Sequence, residues 1–470
     1  MLVVFLILFL GTSGLGQVAS EPSDQVWEVG DRQWNLEEER RFEKWVDENV
    51  TDDFCIRYRL PTDCADLVYA VRWIYARMAH LPAGATTYDR KWIGHWSPDW
   101  RHLPTHLQWD KDKRFRAFLL DMLSRTWTGT LPFDTYPIRI TADSVTPGTV
   151  FFVKESHAGL IGHLSLDGSH PHPLLTWESA LPVKVRRLAM GYFFSPSPER
   201  KVRSGLVKFR WPVFENGQWR YLPLEEHPFY SEEQYDPAFH DGYRDYVRAV
   251  AGRLEPNGYP PMERLLKTMR TTAAFLQERV PLVLEGFRRC HTKRCRDNSA
   301  PWETYQTIDR DRMIVSMVDY LSEIVESNGL NREFVRWMME TYRIEISPKR
   351  FITLYDVYRN ALWLSHDPND TIEARWGLKK CEMILAQVRA TKNSIAFIEK
   401  TYRKRSPRFA DFSIRQQRQF LERLNAEWTK SACERTSPAP AQKTKRRSQS
   451  VPHPLGRKSP YVSPPTSVPG

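Results

Sequence analysis

The chain has 470 residues, 41% of them hydrophobic and 27% charged, which suits two or three cored domains and excludes a wholly disordered chain. Its longest uninterrupted apolar run, near the N-terminus, is too short for a polytopic membrane protein. Six cysteines are too few for a disulfide-packed miniature scaffold. Lys and Arg number 68 against 57 Asp and Glu, a net charge of +11.

Leu2 to Leu10 form that run, LVVFLILFL. Small and polar residues follow it, so residues 1–20 are expected to be a secretory signal peptide. That would place the protein in the periplasm or outside the cell. A domain over residues 21–235 comes next. Arg40–Val50 has helical, amphipathic spacing. Asp63–Leu81 has stronger spacing, with Leu67, Val71, Ile74, Tyr75 and Met78 recurring and Pro82 closing the run. Residues 84–135 are expected to be an insertion. Its tryptophans, Trp92, Trp96, Trp100 and Trp109, are expected to pack it onto the domain. Within it, Arg114–Trp127 is helical.

The period then changes to two. Tyr136–Ile140, Gly148–Val153, Ala158–Leu166 and Leu174–Trp177 read as short strands between Pro, Gly and Asp turns, and Val183–Phe194 and Val207–Trp211 extend the series. Helices followed by a sheet predict an α+β fold. Residues 236–433 read as a helical domain, with helices expected at Pro261–Arg289, Thr307–Ser327, Arg332–Tyr342, Thr371–Arg405 and Ile414–Ser431. Cys290 and Cys295 sit close enough for a local disulfide, and Cys381 and Cys433 can staple the last two helices. Residues 434–470 are rich in Pro and Ser. Arg435, Lys443, Lys445, Arg446, Arg447, Arg457 and Lys458 stand there against one acid, Glu434, so the tail holds six of the eleven net positive charges. It is expected to be disordered and to adhere to an anionic wall or membrane surface. No nucleic-acid partner is expected, because the signal-like N-terminus points away from the nucleus.

Asp63-Cys64-Ala65-Asp66-Leu67-Val68 opens the strongest helix. A cysteine there faces unpaired backbone N–H groups and the positive end of the helix dipole, which favour thiolate. Thiolate is the nucleophilic form. The base must come from elsewhere in the fold. Ser156-His157-Ala-Gly-Leu-Ile-Gly-His163 supplies two candidates on one face of a strand, His157 first and His163 as its rival. A Cys55–Cys64 disulfide is the alternative that would leave no nucleophile.

Three pieces of this sequence resemble the NlpC-like cell-wall peptidases, a branch of the papain-like cysteine hydrolases. They are DCADLVYAV, with Ala65-Asp66 where the family has Ser-Gly, then Leu81-Pro82, and then PGTVFFVKESHAGLIGHLSLDG from Pro147 to Gly168. The resemblance covers residues 55–180. It implies a papain-like catalytic domain ahead of the helical one, with Cys64 as nucleophile and His157 as base. Counting past the glycine turn, it implies His172 as the polar residue that orients the imidazole. The implied activity is amide hydrolysis on peptidoglycan stem peptides or another peptide substrate, without metal or cofactor. A wall-binding protein on the same scaffold and a Cys–His acyltransferase are the alternatives.

Overall fold

The computed structural model describes residues 24–433 apart from positions 154, 196, 241–242, 257, 298, 404–406 and 432. The expected signal peptide and basic tail lie outside the described residues. Three longer helices precede the sheet in the chain, each begun by a side-chain cap: α1 (Leu36–Asn49) by Asn35, α2 (Cys64–Ala79) by Asp63 and α3 (Lys113–Arg125) by Asp112. Each cap accepts a hydrogen bond from a first-turn N–H that has no partner inside the helix. α2 is buried from Ala65 to Arg77 without a break, so it is enclosed on all sides and not only along the expected face.

The sheet covers one flank of α2. Its strands are β1 (Thr135–Pro137), β2 (Val150–Val153), β3 (His157–Leu164), β4 (Leu174–Glu178), β5 (Ala189–Tyr192) and β6 (Gly205–Phe209), in the order β1-β6-β2-β3-β4-β5. All neighbours are antiparallel. Alternation sorts the side chains. Val150, Phe152, Ala158, Leu160 and Val207 share a core with Leu67, Val68 and Val71 of α2. Phe151, Ile161, Leu174 and Leu206 enter a second core with Tyr246, Val250 and Leu254 of α4 (Tyr243–Leu254). Each fully buried aliphatic side chain contributes about 1.5–3 kcal/mol.

The helical half comprises α5 (Pro261–Cys290), α6 (Ala300–Tyr305), α7 (Ile308–Ser327), α8 (Arg332–Thr341), α9 (Lys380–Tyr402) and α10 (Pro407–Lys430), with shorter helices between. Its core combines Met269 and Leu276 of α5 with Met313, Met317 and Leu321 of α7. Leu175 of β4 belongs to it too, with Met190 and Tyr192 of β5 packed against it, so the helices close over the outer edge of the sheet. The disulfides Cys290–Cys295 and Cys381–Cys433 both form. The second joins the start of α9 to the end of α10. No helix among the described residues is long and apolar enough to cross a membrane.

Several elements differ from their expected bounds: the last helix begins at Pro407, not Ile414, and the first and last strands of the sheet are Thr135–Pro137 and Gly205–Phe209. The strand expected over Val183–Phe194 is confined to Ala189–Tyr192. The helix expected over Thr371–Arg405 is interrupted: it runs from Ile372 to Arg375 and resumes at Lys380. Gly377 makes the break at φ +70°, where a Cβ would lie 2.9 Å from the Asn360 carbonyl oxygen. Three short hairpins, at 84–94, 212–221 and 343–353, were not expected. The inserted tryptophans pack. Trp100 and Trp109 are buried, and Trp96 stacks on Trp219 of the second hairpin at 5.2 Å between ring centroids.

A buried charge network ties α1, α2 and β6. Arg72 donates two hydrogen bonds to Glu39, at 3.1 and 2.9 Å. Trp211 donates to the same carboxylate, and Lys208 lies 3.9 Å from it while bonding Glu43 at 2.7 Å. Burial pushes the Glu39 carboxyl up, but Arg72 and Lys208 outweigh it and hold it below its ordinary value. Glu39→Gln would strand the buried Arg72 guanidinium. The expected cost is about 3–5 kcal/mol, measured as a lower denaturant midpoint at unchanged slope. A change within 1 kcal/mol would show that the network is dispensable.

Candidate active site

Cys64 is the first residue of α2, and its side chain is partly exposed. Asp63 accepts hydrogen bonds from the N–H groups of Ala65 and Asp66, at 3.0 Å each, and the Asp66 carboxylate accepts the Asp63 N–H at 3.0 Å. This reciprocal cap fixes the first turn. Burial, then the Asp63 carboxylate beside it, pushes the Asp66 carboxyl up to about 7. Among the described residues, the Cys64 N–H has no hydrogen-bond acceptor.

The chain ahead of Cys64 is fastened to the end of β4. Buried Thr62 donates through Oγ1 to Ser179 Oγ at 3.1 Å, and Ser179 Oγ donates back to the Thr62 carbonyl at 3.0 Å. Thr62 also bridges to Lys184 of the following loop. The residue before Ser179 is Glu178, so this clamp sets α2 and the last side chain of β4 side by side.

His157 opens β3 between them. Its Nε2 hydrogen-bonds Glu178 Oε2 at 2.8 Å, and its ring interacts with the Cys64 side chain strongly enough to favour the imidazolium. Nε2 is taken by Glu178, so Nδ1 is the nitrogen left for sulfur. Burial works to lower the affinity of His157 for its proton. The interactions with Cys64 and Glu178, with the Glu178 charge, overcome burial and raise the pKa to about 10. The other carboxylate oxygen of Glu178 accepts from Thr176 Oγ1 at 2.8 Å. Gly159 makes room for the carboxylate: a Cβ there would stand 2.9 Å from Glu178 Cγ and 2.5 Å from the Phe151 ring. From the helical half, partly buried Asp309 of α7 senses the Glu178 charge.

The remaining candidates fall elsewhere. His172 does not orient His157. Its Nε2 is bonded to the Val247 carbonyl at 3.2 Å, its Nδ1 accepts the Leu174 N–H at 3.1 Å, and burial lowers its pKa to about 4. The reason is local: the turn after β3 carries His172 down toward α4, and the strand that follows must run to its end before a side chain returns to His157. Glu178 is that side chain. The alternation of Leu174-Leu-Thr-Trp-Glu178 was its signal, since period two puts Thr176 and Glu178 on one face. His163, the rival base, bonds Asp47 of α1 at 2.7 Å. Cys55 and Cys64 are both free thiols, so the alternative disulfide is not formed. Cys55 is fully buried at 3.5 Å from the Thr62 hydroxyl, and burial pushes its thiol up to about 11. Among the described residues no cluster of three or more His, Cys, Asp or Glu side chains could hold a metal ion.

Comparison with protein-family profiles, curated proteins and solved structures finds no match for this chain.

Two outcomes follow from this geometry. Native protein treated with iodoacetamide is expected to lose Cys64 and keep Cys55, read by peptide mass mapping, because a buried and fully protonated thiol is inert; equal modification would contradict the packing around Cys55. In a thiol-reactivity assay, Thr176→Val is expected to slow Cys64 alkylation roughly tenfold and Thr176→Ser to restore it, since a hydrogen bond to a charged group is worth about 1.5–3 kcal/mol. Equal rates in all three proteins would show that Thr176 does not hold Glu178.

Proposed function

We propose that the protein is an exported cysteine amidase or peptidase of the papain-like type, acting on peptidoglycan stem peptides. The observation that supports this most is the line Cys64–His157–Glu178, in which the imidazole bonds the carboxylate and interacts with the thiol. A thiol, an imidazole and a carboxylate in that order are what acyl transfer through a cysteine requires. The two disulfides accord with an oxidising compartment outside the cytoplasm.

The steps follow from the atoms. The imidazolium of His157, held charged by Glu178, stabilises the Cys64 thiolate. The sulfur attacks the amide carbonyl carbon, and the carbonyl oxygen takes up negative charge. The N–H of Cys64 stands at the helix start, where it can donate to that oxygen. As the tetrahedral adduct collapses, His157 gives its proton to the leaving amine and the C–N bond breaks. The thioester is then attacked by water. Neutral His157 takes the water's proton, the C–S bond breaks and thiolate is restored. Glu178 keeps the ring in the tautomer and orientation that both transfers need.

The test is digestion of purified peptidoglycan, with soluble fragments analysed by mass spectrometry. Wild type is expected to release fragments with new amine and carboxylate ends. Cys64→Ser and His157→Ala are expected to lower the rate by about three powers of ten or more, and Glu178→Ala by less. Full activity in Cys64→Ser would overturn the proposal. Intact binding without cleavage by the wild type would favour a wall-binding role.

A further inference from the structure

The last turn of α5 and the loop that joins it to α6 are unusually charged. Arg288, Arg289, Lys293, Arg294 and Arg296 place five cations within nine residues. The Cys290–Cys295 disulfide closes the loop on itself. Asn369 pins it from the other side: its Oδ1 accepts the Cys295 N–H at 2.8 Å and its Nδ2 donates to the Cys295 carbonyl at 3.1 Å. Like charges repel, so a chain free to relax would spread them. Here covalent and hydrogen-bonded constraints hold them together.

Four of these side chains, Arg289, Lys293, Arg294 and Arg296, line a cleft of about 670 Å³, with Pro301 and Tyr305 of α6 as its apolar wall. That volume is within the range of small-molecule sites. Glu285 neutralises part of the cluster by pairing with Arg288 and Arg289. Among the described residues, Lys293, Arg294 and Arg296 have no acidic partner within ion-pair distance. A concave surface lined by one sign of charge concentrates counter-ions. Arginine forks match the paired oxygens of phosphate and sulfate groups. An apolar wall suits the sugar or polyol that carries such groups.

We propose that this cleft is a binding site for a phosphorylated or sulfated chain. α6 connects it to the segment ahead of the candidate catalytic centre. α6 supplies Thr304, whose carbonyl accepts Arg187 Nε at 2.7 Å, and Glu303, which pairs with Lys184 at 2.5 Å. Lys184 in turn bridges to Thr62, two residues before Cys64. A polyanion held here would tether the protein to the polymer that carries it.

The test is calorimetric titration of the full chain with two probes, inorganic tripolyphosphate and a fully sulfated disaccharide. Saturable one-to-one binding is expected, weakened roughly tenfold or more by Arg294→Ala with Arg296→Ala. The control, Arg332→Ala with Arg336→Ala on α8, removes the same charge elsewhere and is expected to leave affinity within about twofold. Tighter binding of the first probe assigns a phosphate ester, and of the second a sulfated glycan. Absence of saturable binding by both probes, or equal weakening in both double variants, would overturn the proposal. Lys293→Gln, expected to weaken binding in the same direction, serves if the double variant melts early. Binding is read without turnover, so its failure would leave the cysteine chemistry standing.

Discussion

The mutual clamp between Thr62 and Ser179 is the contact on which the rest of the site depends. One partner lies two residues before Cys64 and the other directly follows Glu178. Two buried hydroxyls, each satisfied by the other's segment, hold a helix start and a strand end in register across 117 positions of sequence. α2 cannot slide relative to the sheet, because it is buried from Ala65 to Arg77 and its flank interdigitates with Val150, Phe152, Ala158 and Leu160. The site therefore inherits its geometry from core packing, and the loops around it need supply little.

Electrostatics then decides what that geometry can do. An imidazole placed beside a thiol in a partly buried niche would ordinarily lose its proton, since burial opposes charge. The Cys64 side chain and then Glu178 reverse the balance, and His157 is held protonated far above the usual imidazole range. Thr176 and the absence of a side chain at Gly159 keep the carboxylate in place. The helical half takes part as well: Asp309 lies within reach of the Glu178 charge, and Arg310 of α7 pairs with Asp52 at 3.0 Å across the boundary between the halves, beside Arg187, which pairs with the same carboxylate at 3.0 Å. A change in the helical packing would thus be felt at the imidazole.

Much of this was legible in the residues, for physical reasons that differ from element to element. α2 was readable because cap, apolar spacing and terminating proline agree at both ends. β2 and β3 were readable because alternation and turn residues agree. Cys64 and His157 came from chemistry at a helix start and a strand start. The orienting residue was misplaced because counting along a turn cannot say which way the chain leaves it: His172 turns into the core beside α4, while the strand has to be followed to Glu178. The hairpins went unread because strands of three to five residues are too short to show a period against their surroundings. The break at Gly377 was hidden inside an otherwise helical pattern, where one glycine is usually tolerated. The charged loop after α5 was read only for its cysteines, since a cleft is a property of the folded surface.

The most direct measurement of the coupling among Cys64, His157 and Glu178 is the titration of the His157 ring itself, followed by nitrogen-15 NMR in histidine-labelled protein. A raised folded-state pKa means the imidazolium persists through neutral pH and is lost only as pH climbs toward about 10. The coupling predicts that behaviour in the wild type and a midpoint displaced downward in Glu178→Gln, where the carboxylate charge is gone. A His157 ring that gives up its proton near the ordinary imidazole value of about 6.5, with or without Glu178, would contradict it.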